Sequence, residues 1–178
     1  MSEPSALLTV DDYEKAAKRV LPKMAYDYYR SGAEEERTLS SNRKAFKRYE
    51  VWYRVLVDVS EVDTSTMVLG QRLAHPIIVA PTAYHRLAHP DGEIATAQGA
   101  EAAGALMVVS TLATTRLEDV AAATRGPKWF QLYIHKDRGL TKELVQRAQE
   151  SGYAALVLTV DAPVLGRRID DERNSFAL

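Results

Sequence analysis

No cysteine occurs in the 178 residues. That excludes disulfides, thiolate nucleophiles and Cys-ligated zinc, and it allows a reducing compartment, so a cytoplasmic protein is expected. An excess of one charge is also lacking. The 23 basic residues meet 24 acidic ones for a net charge of -1, which provides no nucleic-acid footprint and no polybasic membrane surface. No apolar run approaches the roughly 18 to 20 residues of a membrane span. Met1 to Ala6 carries no basic segment leading into an apolar one, so no leader peptide is expected. What remains, with 46% hydrophobic and 26% charged residues, is the composition of a soluble globular chain able to bury a core.

The first third reads as helix. Thr9 and Asp12 have capping-box spacing, and Val10, Tyr13, Ala17, Val20 and Leu21 recur at helical intervals. Pro22 suits the first turn of a second helix through Met24, Tyr26, Tyr28 and Tyr29, which Gly32 would stop. Glu34 to Lys47 suits a third, more exposed helix. Thr66 to Leu69 and Arg72 to Ala74, separated by Gly70-Gln71, suit a β-hairpin.

From Pro76 the pattern changes. Four short apolar runs begin at Ile77, Leu106, Trp129 and Ala155, three of them near-continuously apolar, as expected of parallel strands covered on both faces. Helical stretches lie between them: Gly92 to Ala103, Leu117 to Ala123 and Thr141 to Ser151, with Gly104 and Gly152 where C-terminal caps belong. The repeat is (βα)n with right-handed crossovers. No G-x-G-x-x-G follows the first strand, where Ala80-Pro81-Thr82-Ala83 stands instead. That weighs against a Rossmann domain and favours a (β/α)8 TIM barrel. Four strands alone would leave two open sheet edges, so the chain is expected to be the first half of a larger protein. Residues 1–75 would form helices and a hairpin capping the barrel, and 76–178 its first four β/α units.

Polar residues gather at the strand ends. Gln131 and Tyr133, two apart, share one face of their strand, as Thr159 and Asp161 do on theirs. With Ser110 they would make a ring of hydroxyl and amide groups suited to a planar heterocycle; the plainer alternative is that Ser and Thr simply end strands. Tyr26, Tyr28 and Tyr29 would pack, or one of them would bind a carboxylate oxygen. Arg167 and Arg168 follow the fourth strand, either solvated or clamping an anion bidentately. His75, His85, His89 and His135 show no metal-ligand spacing, and there is no P-loop.

Several segments, in order, bear a family resemblance: Leu21-Pro22-Lys23-Met24 into Tyr26-Asp27-Tyr28-Tyr29, Ser31-Gly32-Ala33-Glu34, Ala80-Pro81-Thr82-Ala83, Ala88-His89-Pro90-Asp91-Gly92-Glu93, Gln131-Leu132-Tyr133, Leu158 to Pro163, and Leu165-Gly166-Arg167-Arg168. Together they resemble the flavin-dependent α-hydroxy-acid oxidases and dehydrogenases, a family of FMN-binding (β/α)8 barrels that includes glycolate, lactate and mandelate oxidases.

The resemblance implies roles. Backbone at Pro81, Thr82 and Ala83 would lie along the flavin, while Ser110, Gln131 and Thr159 would bond its pyrimidine rim. Tyr28 and Arg168 would hold the substrate carboxylate, and Tyr133 would contact substrate oxygens and steady the transition state. The family's histidine base, its arginine partner, the lysine beside the flavin and the phosphate site belong to later strands, so the C-terminal half of the barrel is an implied partner and a homotetramer the implied assembly. Glycolate-specific members carry tryptophan where Leu112 stands and methionine where Tyr84 stands. The smaller Leu112 opens room over the flavin and Tyr84 could stack on a ring, which implies a larger, mandelate-like (S)-2-hydroxy acid. Oxidation to the 2-keto acid with oxygen as acceptor is the expected activity. A quinone-linked dehydrogenase and a non-catalytic half-barrel module are the alternatives.

Overall fold

The computed structural model describes residues 7–176. Met1 to Ala6, read above for a leader, lie outside the described residues. In chain order come α1 (Val10–Val20), α2 (Lys23–Arg30), α3 (Arg37–Ala45), β1 (Thr66–Val68), β2 (Gln71–Leu73), β3 (Ile78–Val79), α4 (Gly92–Ala102), β4 (Leu106–Val109), α5 (Leu117–Ala122), β5 (Lys128–Leu132), α6 (Arg138–Glu150), β6 (Leu156–Leu158) and α7 (Ile169–Arg173). They fall into two compact units. One comprises the residues up to Val57 with those from Val164 onward; the other runs Asp58–Pro163. None of the described helices is long and apolar enough to cross a membrane.

The first unit is helical. α1 begins at the expected capping box: the Asp12 amide donates to the Thr9 hydroxyl at 3.2 Å, and the Thr9 amide donates back to Asp12 Oδ2 at 3.0 Å. Pro22 is the N-cap of α2 rather than its first residue, and α2 ends at Arg30 with Ser31 as its C-cap, ahead of Gly32. The third helix is shorter than the charge pattern suggested, with a separate 3-10 turn over Phe46–Arg48. α7 packs on α2. Asn174 Nδ2 donates to the buried Asp27 carboxylate at 2.8 Å, and Lys23 Nζ reaches both Asp27 and Asn174.

The second unit holds two sheets. β1 and β2 pair antiparallel with Val68 opposite Gln71. Their turn is Leu69-Gly70, one residue earlier than Gly70-Gln71, because both central residues must take positive φ, 48° and 76°, for the strands' twist to match. The other sheet is parallel in the order β3-β4-β5-β6, with α4, α5 and α6 as the successive crossovers. α6 starts three residues before Thr141, because Asp137 caps it by accepting from the Gly139 and Leu140 amides. Gly104 and Gly152 follow their helices at positive φ, as C-terminal caps do.

Strand alternation splits the core in two. Met107, Val109, Phe130 and Leu132 pack with Ala97, Ala100, Leu117, Val120 and Ala148 from the helices and with Tyr153 from the loop after α6. Leu106, Val108 and Trp129 point the other way, packing with Leu73 of the hairpin and with Ile78, Ala155 and Val157. Arg147 of α6 grips Glu118 of α5 bidentately at 2.6 and 3.1 Å, fastening neighbouring crossovers. Phe130 sits at the centre of the helix-side core and is almost wholly buried. Phe130→Ala should therefore cost about 3 to 5 kcal/mol of stability. Urea unfolding would measure it, and a cost below about 1 kcal/mol would mean that this face is loosely packed.

Candidate functional site

The second unit gathers its polar side chains at the C-terminal ends of the strands. Ser110, Gln131 and Thr159 continue the alternation of Leu106 and Val108, of Trp129, and of Ala155 and Val157, so all three lie on the sheet face away from the helices. These three side chains are bonded in a row. Gln131, 2% exposed, accepts from the Ser110 hydroxyl at 3.3 Å and the Thr111 amide at 3.0 Å, and its Nε2 donates to Thr159 Oγ1 at 2.8 Å. The Thr111 hydroxyl donates to the Gln131 carbonyl at 2.5 Å and accepts from the Tyr133 amide at 3.1 Å. Ser110 Oγ also accepts from the Leu112 amide at 3.1 Å. Gln131 keeps one N–H, and Thr159 its hydroxyl proton, unclaimed by the described residues.

The loop after β3 lies beside that after β4. Pro81 and Thr82 are exposed and Ala83 is half-buried. Tyr84 adopts a left-handed backbone, φ 57°, and its amide donates to the Leu112 carbonyl at 3.0 Å. The two residues that the resemblance links to substrate size are thus neighbours.

Glu93 holds these loops. It is 1% exposed, on the first turn of α4, and among the described residues no Lys, Arg or His side chain is bonded to it. Its carboxylate accepts from the His85 amide at 3.2 Å, the Thr114 amide at 2.7 Å, the Thr114 hydroxyl at 3.0 and 2.8 Å to its two oxygens, and the Thr115 hydroxyl at 2.7 Å. Burial alone would raise its pKa. The Thr115 and Thr114 hydrogen bonds outweigh burial and bring the carboxyl down to about 2. The preceding Gly92 has φ +49°, and a Cβ there would come within 2.8 Å of Arg86 Cγ. Glu93 carried no role in the sequence reading. The available signal was its phase: Glu93, Ala97 and Ala100 recur at helical spacing and are all buried.

In the first unit, Tyr28 and Arg168 meet. The guanidinium carbon stands 5.1 Å from the Tyr28 ring centroid, and Nη2 donates to the Tyr28 carbonyl and to Ser31 Oγ at 3.2 Å. Nε donates to Asp171 at 2.7 Å. These commitments leave Nη1 alone, so a bidentate clamp on an anion is not available in this arrangement. Arg167, by contrast, is exposed and paired bidentately with Glu172 at 2.8 Å. A groove of about 850 Å³ among α1, α2 and α3, lined partly by Tyr26, Tyr29 and Leu39, includes neither Tyr28 nor Arg168. Among the described residues no group of His, Cys, Asp or Glu could hold a metal ion.

The model of the FMN-dependent dehydrogenase family matches residues 17–178. Glycolate oxidase 3 of Arabidopsis thaliana is 52% identical over 172 residues, covering 97% of this chain and 47% of the relative. L-lactate oxidase of a Nostoc species is 52% identical over 182 residues, covering 100% and 50%. A crystal structure of mandelate oxidase superposes with a TM-score of 0.90 at 44% identity, over 94% of this chain and 49% of that one. The chain thus spans about half the length of the curated relatives it matches.

The Glu93 carboxyl sets a stability test. Its folded pKa, about 2, lies below the ordinary 4.5, so its contribution is complete above the ordinary value and is lost as pH falls toward 2. The size at neutral pH is about 3 kcal/mol. Glu93→Gln should lower stability by about that amount at pH 7 and by about half of it or less at pH 3. Urea unfolding at both values checks it; an equal deficit at both would refute the ionised-carboxylate account.

Proposed function

The chain belongs to the FMN-dependent dehydrogenase family, and from that premise we propose that the whole protein oxidises an (S)-2-hydroxy acid to the 2-keto acid, with dioxygen reduced to hydrogen peroxide. The observation that carries the reading is the bonded row of Ser110, Gln131 and Thr159 at the strand ends. Its chemistry fits the alternating carbonyl and N–H rim of an isoalloxazine ring. The unclaimed Gln131 N–H and Thr159 hydroxyl can donate, while the spare lone pairs of the two hydroxyls can accept. FMN, when bound, supplies the acceptor for the substrate's two electrons.

The chain's own residues then bind and orient. Pro81, Thr82 and Ala83 provide backbone along the ring, and Gln131 holds its pyrimidine edge. Tyr133, next to the same strand end, contacts the substrate oxygens and steadies the transition state. Arg168 offers Nη1 to the substrate carboxylate, with Tyr28 beside it. The oxidase names of the relatives support oxygen as the acceptor. The backbone bond between Tyr84 and Leu112 brings these two positions together, and a leucine where glycolate-specific members carry an indole supports a larger side chain on the substrate.

Two outcomes follow. Gln131→Leu removes the centre of the row and should weaken FMN binding by about 1 to 3 kcal/mol, read by flavin retention on dilution. Unchanged retention would remove Gln131 from the cofactor site. Leu112→Trp should cut the ratio of kcat/KM for mandelate over that for glycolate by about tenfold or more, with peroxide release followed for each. A ratio that does not move would take substrate size away from this position.

A further inference from the structure

We propose that Asp171 is a positioning residue for substrate binding, holding the Arg168 guanidinium so that only Nη1 receives a carboxylate oxygen. The inference rests on the reading of Arg168 as a substrate ligand. Three groups hold the guanidinium: Asp171 Oδ2 on Nε at 2.7 Å, and the Tyr28 carbonyl and Ser31 hydroxyl on Nη2. The Tyr28 ring lies against it. Nη1 donates to none of the described residues, and the Arg168 side chain remains 29% exposed.

Asp171 is poorly explained as a stabilising partner alone. Its side chain is 14% exposed, and Oδ1 is buried with no hydrogen-bond partner among the described residues. A partly buried ion pair that leaves one carboxylate oxygen unsatisfied recovers little of its desolvation cost. The pair does fix orientation. Arg168 is the N-cap residue of α7 and Asp171 lies on its first turn. The helix is itself anchored, because Asn174 donates to the buried Asp27, and the Glu34 amide donates to the Arg167 carbonyl at 2.8 Å. Gly166 comes close enough to this segment that a Cβ would stand 3.0 Å from Ala33 Cβ. The planar fork thus has one orientation, set through Nε and Nη2, and one amino group left to offer.

Asp171 also brings a negative charge near any carboxylate bound at Nη1, so orientation and repulsion oppose each other. The test separates them in the complete flavin-loaded enzyme. Asp171→Ala should raise KM for the 2-hydroxy acid on the order of tenfold to a hundredfold, with flavin content unchanged and kcat less affected. Asp171→Asn, which keeps an acceptor oxygen for Nε and drops the charge, should restore most of the loss. A merely structural role would lower flavin content and show no rescue by Asn. If Asp171→Ala does not fold, Asp171→Glu, which keeps the charge and displaces the oxygens by one methylene, should still raise KM. Arg168→Met serves as the control. If it raises KM while Asp171→Ala leaves KM unchanged or lowers it, the inference is overturned and Arg168 stays a substrate ligand. Unchanged KM in Arg168→Met would overturn the reading of Arg168 itself, and the inference with it.

Discussion

A buried carboxylate without a cation is the constraint on which the strand-end loops depend. Among the described residues no basic side chain is bonded to Glu93, so its charge is met by amide and hydroxyl dipoles from His85, Thr114 and Thr115. Those donors come from the two loops that follow β3 and β4. Bringing them to one carboxylate fixes where each loop can run, and each donor would be left unsatisfied if the carboxylate were lost. The loops that carry Ala83, Tyr84 and Leu112 are therefore held by a residue on the first turn of the crossover helix α4.

The sheet supplies the second constraint. Side chains alternate across a strand, so one parity of residues packs against the helices and the other against the hairpin. Carried one step past the apolar pairs, the second parity arrives at Ser110, Gln131 and Thr159. The polar row is thus a direct extension of the core layer that includes Trp129, and its position needs no separate explanation. Gln131 spends both lone pairs of its oxygen inside the row, which orients the amide and leaves an N–H as the group it can offer.

The helical unit applies the same economy to a charge. Two adjacent arginines follow one another in sequence, yet Arg167 is absorbed by the exposed Glu172 and Arg168 by a partly buried set of acceptors. Their difference comes from α7: a five-residue helix puts Asp171 three residues after Arg168 and Glu172 five after Arg167. A bidentate anion clamp, the natural expectation for an arginine near a strand end, gives way because Nε and Nη2 are already committed.

Much of this was legible in the residues. The βα alternation, the capping box at Thr9 and Asp12, the glycines after α4 and α6, and the shared face of the strand-end polar residues all rest on local periodicity or on a single residue's backbone preference. Boundaries moved where a local competitor acted, as at Asp137, which captures two amides and starts α6 early, and at Leu69-Gly70, where strand twist chooses the turn. Tertiary structure alone decided the rest. No spacing rule joins Glu93 to Thr114 and Thr115, twenty-one and twenty-two residues later, or Arg168 to Tyr28 and Ser31 across most of the chain. Such contacts pair groups whose meeting depends on how helices and strands pack, and a hydrogen bond between distant residues leaves no period in the sequence that could announce it.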